Sequence, residues 1–415
     1  MTGMISDKQC GSVLLLKEIR SMHEQYPLCC NNGSGKKLLS LEDPLLSYPI
    51  AIMRGVQVPS PESSPAQWEH LLSSLRCHWI MPFMYWRIMA CPGNLRPPES
   101  VLNALKAAYL NSSISYLKGD KQLAGLADVF DQQKIEFLVL KGAALSRTVY
   151  PDQFIRPGSD IDILVRPGDV RRSRKALEIA GYRCNYPYFE ISGKYFCEEE
   201  FTYIDSSTGY LPLELHWDQS SLHVLKEYSD LEGYFSRSIR VKVGKREISV
   251  MDPADALIYQ SVHMMAKHYD NVRLSWINDI AILCRHLETT GGWGEFRSKA
   301  MESNTGPLLR PAMRMAELWA GIKVPEDIFG TGSAAEKSVE EAFEKLTRGK
   351  PSFVSNLKTL WPAEAPILEK CRLVRYFALP PRQIMRTIHF PGQDISLPAM
   401  HLKRWRNLVG RNLRL

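Results

Sequence analysis

Apolar positions change their period along this chain. Between Ser63 and Ala90 they recur at helical spacing, with Trp68, Leu71, Leu72 and Leu75 falling at i, i+3, i+4 and i+7. Pro82 interrupts that stretch, which predicts two helices. The breaker Cys91-Pro-Gly-Asn-Leu-Arg-Pro-Pro98 comes next, and Val101 to Lys118 and Lys121 to Gln133 read as two more. At Ile135 the pattern turns to short apolar runs. Phe137-Leu-Val-Leu140 predicts a buried strand and Asp160 to Val165 a second. Asp169 is placed to cap a helix carrying Val170, Ala176, Leu177 and Ile179, and Gly181 ends it. Glu199 to Asp205 and Tyr210 to Trp217 flank Ser206-Ser-Thr-Gly209, a hairpin signal. Asp252-Pro253-Ala254-Asp255 starts a helix with a cap, a proline in the first turn and an early acid. Helical patterning then runs to about residue 350. Pro362, Pro366 and Pro380-Pro381 break the chain beyond that point.

These periods predict an α+β protein, with a small mixed sheet between an N-terminal and a C-terminal helical region. The expected segments are a helical 1–120, a mixed-sheet core 121–250, a helical 251–350 and a basic C-terminal 351–415. Within residues 1–60, Val13 to His23 has a helical pattern and Asn31-Asn-Gly-Ser-Gly35 the composition of a loop.

Composition narrows the class. At 415 residues, 45% hydrophobic and 23% charged, the chain reads as an ordinary globular protein. It has no run of 18 apolar residues, so no membrane span is expected. The apolar patch Val13 to Leu16 is ended by Lys17, Glu18 and Arg20, too soon for a secretory signal. The cysteines follow no CxxC spacing, which points to free thiols in a reducing cytoplasm rather than a zinc ribbon or a disulfide framework. The net charge of +7 is uneven. Lys370 to Leu415 holds ten Lys or Arg against one acid, Asp394, and the rest is near neutral. Such a segment suits an anionic partner such as nucleic acid, lipid or an acidic protein. A solvated domain edge is the plainer reading.

The chemistry gathers around two strands. Side chains alternate along a strand, so Asp160 and Asp162 share one face and Ile161, Ile163 and Val165 the other. Acids on one face of an otherwise apolar strand are costly unless paired or metal-bound. Two such carboxylates suit a divalent cation, and the nearby Gly142 turn lets a phosphate approach the backbone. Glu214 is the best third acid, because Leu213, Leu215 and Trp217 leave it on the opposite face. Asp205 and Asp218 lie at strand ends. His216 shares the face of Glu214. Lys141 and Arg156 are candidate phosphate clamps. His263 and His268, five apart on a helix, do not share a face well and read as supporting residues rather than a zinc pair. Asp279 lies in an apolar helix and needs a partner, with Arg273, His263 and His268 as candidates. Trp217 and Trp276 read as core. The chain has no GxxxxGK[ST], GxGxxG, HExxH or GxSxG sequence.

Taken together, Leu140-Lys-Gly-Ala-Ala144, Arg156-Pro-Gly-Ser-Asp-Ile-Asp-Ile-Leu-Val165 and Leu213-Glu-Leu-His-Trp217 resemble the polymerase-beta-type nucleotidyltransferase superfamily. More closely, they resemble its branch of largely uncharacterised bacterial nucleotidyltransferase-family proteins. The segment from His263 through His268 to Asp279 resembles that branch too, so the likeness covers about 66–290. It implies a nucleotidyltransferase core with Lys141-Gly142 turning over a triphosphate. It also implies metal binding by Asp160, Asp162 and Glu214, the third acid helping to deprotonate an acceptor hydroxyl. Lys141, Gly142, Ala143, Arg156 and Ser159 are then expected at the nucleotide. The implied cofactor is Mg2+ or Mn2+, and the donor an NTP, ATP first. One departure stands out: the superfamily usually has Gly-Ser or Gly-Gly where this chain has Gly142-Ala143, so a hydroxyl contact is missing. Ser146 and Ser159 are candidate substitutes.

The expected function is metal-dependent transfer of NMP from an NTP to an acceptor, with pyrophosphate released. The acceptor stays open among a small molecule, a sugar, a protein side chain and an RNA end. One alternative is a catalytically weak or inactive protein that binds nucleotide or a partner, suggested by Ala143 and the basic tail. Another is a metal-dependent glycosyltransferase, disfavoured because the residues before Ile135 look helical.

Overall fold

The computed structural model describes residues 29–31, 36–38, 45–185, 196–220, 229–328, 367–380 and 395–412, with a few positions between. The helical pattern expected over Val13 to His23, and most of that beyond residue 328, lies outside the described residues. The helices are α1 (Ser47–Met53), α2 (Pro65–Cys77), α3 (Met81–Met89), α4 (Glu99–Gln132), α5 (Lys141–Thr148), α6 (Val170–Ile179), α7 (Leu231–Ser236) and α8 (Pro253–His268). They continue with α9 (Leu274–Thr290), α10 (Trp293–Glu302), α11 (Gly306–Ala320), α12 (Ile367–Ala378) and α13 (Leu397–Asn412). The strands are β1 (Cys29–Asn31), β2 (Lys36–Leu38), β3 (Phe137–Val139), β4 (Ile161–Val165), β5 (Tyr182–Cys184), β6 (Glu198–Tyr203), β7 (Leu213–His216), β8 (Ile239–Val243) and β9 (Arg246–Val250). This is the expected α+β architecture. Among the described residues, no helix is long and apolar enough to cross a membrane.

Local signals account for several helix ends. Ser64 and Gln67 form a reciprocal capping box at the start of α2. Pro82 falls in the first turn of α3, where its missing N–H costs nothing. Asp252 caps α8 by accepting from the Ala254 amide. Asp169 does precede α6, but its carboxylate takes Arg172 at 2.6 Å instead of capping the backbone. Gly181, at φ +94°, ends that helix as expected.

One expectation fails. The two helices read over 101–133 are a single 34-residue helix, α4. Gly119-Asp120 weakens helix propensity locally, but tertiary contacts override it. Gly119 is buried against Arg147 and Leu211, and Asp120 pairs with the Arg147 guanidinium.

The main sheet has seven strands in the order β5-β6-β7-β4-β3-β9-β8. β4 lies antiparallel to β3 and parallel to β7, which sets Asp162 directly beside Glu214. β6 and β7 form the expected hairpin, and β8 and β9 a second. One sheet face packs Ile161, Ile163, Val165, Leu213 and Leu215 against the second half of α4 and against α6. The other carries Leu138, Leu140 and Leu164 toward α7 and Tyr259. The helices before and after the sheet share one large apolar core.

Candidate active site

All eight residues expected at the nucleotide and metal line one cavity of about 280 Å3. Lys141, Gly142 and Ala143 come from the first turn of α5, and Arg156, Ser159 and Asp160 from the loop before β4. Asp162 and Glu214 project from β4 and β7. Asp160 stands one residue before the strand rather than within it.

The acids carry a dense set of partners. Lys141 Nζ is 2.6 Å from Asp162 Oδ1 and 3.5 Å from Glu214 Oε2. His216 Nε2 lies 3.0 Å from that same Asp162 oxygen and 3.3 Å from Glu214 Oε2. Its Nδ1 is 3.4 Å from Glu198 Oε2, and Glu198 in turn pairs with Lys267. Burial pushes the Asp160 carboxyl up to about 6, and the neighbouring Asp162 adds to the rise. Burial works the same way on Glu214, but the His216 hydrogen bond and the Lys141 charge outweigh it and hold Glu214 well below the usual carboxylate range. His216 is the converse. Burial and Lys141 disfavour its charge, yet bonds to Asp162 and Glu214 among others raise it well above an ordinary histidine.

The donor set fits a hard divalent cation. Ligand atoms of Asp162, Glu214 and His216 all lie within 4.8 Å of one another. Asp160 adds a carboxyl to the same cavity, though not to that close cluster. Carboxylate-rich sites suit Mg2+ or Mn2+ better than Zn2+. Lys141 places its ammonium among these acids as a counter-charge.

The turn explains its own glycine. A Cβ on Gly142 would stand 2.9 Å from Arg156 Cζ, so the guanidinium lies against the bare backbone. Arg156 is held there by Asp279, donating from Nε at 2.7 Å and from Nη2 at 2.8 Å. Tyr150 Oη at 2.6 Å and Gln260 Nε2 at 3.2 Å also donate to Asp279. The partner of the buried Asp279 is therefore Arg156, not the expected Arg273, His263 or His268. Of the two serines considered, Ser159 lines the cavity and donates to Asp160 at 3.1 Å. Ser146 turns away and donates to the Ala143 carbonyl at 3.2 Å.

The rest of the lining is only partly marked by sequence pattern. It is built by Trp79, Gln260, His263, Lys267, His268 and Trp276, with Arg273 beside them. The His263 and His268 rings meet with centroids 5.0 Å apart despite their five-residue spacing, His268 being the last residue of α8. Trp276 stacks on His268 at 4.5 Å and is a half-buried wall rather than core, whereas Trp217 is buried as expected. Burial first, then nearby lysine charge, pushes His268 down to about 3 and His263 well below its ordinary value. Neither belongs to a metal-ligand cluster among the described residues. Trp79 has φ +55°, a strained left-handed backbone for a bulky residue. No sequence pattern marked it. Lys267, in the last turn of α8 beside His268, was legible only as a helix-end cation.

Searches of curated proteins and of solved structures returned no match to this chain. Residues 64–321 match the model of a family described as "Uncharacterised nucleotidyltransferase". That span is more than half of the chain and, among the described residues, holds all that line the cavity, so the chain belongs to this nucleotidyltransferase family.

Proposed function

We propose that this protein transfers NMP from an NTP, ATP being the first to test, to an acceptor oxygen, with pyrophosphate released. The observation that carries the reading is the register of β4 and β7, which puts Asp162 beside Glu214 in the cavity that also holds the α5 turn. Asp160, Asp162 and Glu214 are the residues that would hold Mg2+ or Mn2+. A bound ion there would neutralise the triphosphate and polarise its α-phosphorus. Lys141 and Arg156 supply fixed positive charge for phosphate oxygens. The first turn of α5 borders the same space, and Ser159 offers a hydroxyl where Ala143 has none. Glu214 would accept the hydrogen bond of an acceptor hydroxyl.

A second reading, nucleotide binding without turnover, is favoured by the Lys141 ammonium seated between Asp162 and Glu214. One experiment separates the two. The protein is incubated with each α-labelled NTP, Mg2+ and cell extract, beside its Asp160→Ala variant. Label should pass to an acceptor with the native protein and not with the variant. Equal labelling by both would overturn the proposal, and nucleotide binding with no labelling would favour the second reading.

A further inference from the structure

A second chamber of about 450 Å3 adjoins the acid-lined cavity, and Trp79 and Gly158 border both. We infer that this chamber is the nucleobase subsite of the donor nucleotide. The inference rests on the nucleotidyltransferase reading and adds to it a place for the base.

Position favours the donor over the acceptor. The chamber opens at Pro157-Gly158, two to three residues before Asp160. Gly158 and Ser115, both on its wall, also edge a small space against Gly142 and Ala143 at the phosphate turn. Glu214, His216 and Lys267, at the acceptor end, do not touch it.

Its chemistry matches a flat heterocycle. One side is helix α4, where Ala104, Ala108 and Ser112 recur at four-residue spacing and so share a face of small side chains. Facing them, Trp79, Met81, Pro82 and Pro157 give apolar surfaces. Among the described residues no Asp or Glu lines the chamber and Arg76 is the one ionised side chain there, which disfavours a cationic occupant. Asn111, Ser112 and Ser115 supply a polar rim of the kind that reads the edge of a base.

Two observations mark the chamber as more than a packing gap. Ser112 is 4% exposed, lines the chamber, and its Oγ has no hydrogen-bond partner among the described residues. A buried hydroxyl left unpaired is costly, and a turn about χ1 toward the chamber would let a ring nitrogen or exocyclic group satisfy it. Trp79, shared by both cavities, sits just past the end of α2, where its amide bonds Arg76 O and the Ile80 amide bonds Leu75 O. That left-handed position normally takes glycine. Tryptophan there holds an aromatic face at the junction between phosphates and base, at the expense of backbone strain.

The test measures binding of each NTP and of inorganic tripolyphosphate, all with Mg2+, to the native protein and to Ala108→Phe and Ser112→Ala. Ala108→Phe should weaken NTP binding by about tenfold or more while tripolyphosphate binds as before, since base contacts of this kind carry that much affinity. Ser112→Ala should narrow the preference among the four NTPs and leave tripolyphosphate untouched. Unchanged NTP affinities in both variants would overturn the nucleobase subsite alone. If Ala108→Phe weakens both probes, its site is damaged, and Ser112→Ala decides by the same criterion. Failure of the native protein to bind tripolyphosphate with Mg2+ would overturn the nucleotidyltransferase reading beneath it.

Discussion

Strands β4 and β7 present two faces with opposite characters. On one, Ile161, Ile163, Val165, Leu213 and Leu215 are at most 1% exposed and pack beneath α4 and α6. On the other, one residue along the same backbone, stand Asp162, Glu214 and His216. The apolar face fixes the backbone, so the acids cannot move apart to relieve their repulsion. Their relief comes from Lys141 and His216 instead. A strand pair can thus make a core and an acid-bearing surface together, because the pleat separates the two by a single residue.

Substitutions on the two faces should therefore behave differently. The largest effect is expected from Asp162→Ala, which should lower label transfer by about a thousandfold or more by removing a charge-stabilising group at the reaction centre. Turnover close to native would mean that this is not the reactive face. Asp279→Ala comes next. It strips the buried Arg156 of its bidentate partner and should cost about 3–5 kcal/mol in urea unfolding. A smaller loss would show that Arg156 finds another acid or solvent. Ile163→Ala, on the core face, should cost about 2–4 kcal/mol of stability while the folded variant keeps its turnover per molecule. A large fall in turnover there would break the separation of the faces.

Asp160→Asn should give the smallest effect, and a stabilising one. Its carboxyl sits at about 6 in the fold against 3.8 for the free group. Between those values the folded state keeps a proton that the unfolded state has released. Stability contributed by the group is full below about pH 4 and is lost as pH rises through 6. The variant should gain about 2–3 kcal/mol near pH 7 in metal-free buffer and nothing below pH 4, as read from unfolding midpoints across pH. Added Mg2+ should close the gap by stabilising the native protein alone.

How much of this was legible varies with the kind of signal. Asp160, Asp162 and Glu214 could be placed because strict alternation and apolar flanks mark buried strands. The β6–β7 hairpin was legible from its turn residues. The β8–β9 hairpin is not legible, because its basic, exposed residues Arg240, Lys242 and Arg246 hide an apolar period. The unity of α4 was hidden by Gly119-Asp120, whose weak propensity is overcome by contacts from Arg147 and Leu211, distant in sequence. The pairing of Arg156 with Asp279 spans 123 positions and no local pattern reports it. Trp79 was invisible for a different reason: its role comes from a backbone angle that tryptophan seldom adopts.

Helix α4 imposes a rule on how this chain can change. At 34 residues it is about 50 Å long. Val101 and Leu105 near its start belong to the helical core, and Leu123, Leu126 and Phe130 near its end belong to the core beneath the sheet. Inserting or deleting one residue between Leu105 and Leu123 would turn one end about 100° against the other. One of the two apolar stripes would then face solvent. A substitution in that stretch disturbs one contact, whereas a change of length puts the whole helix out of phase.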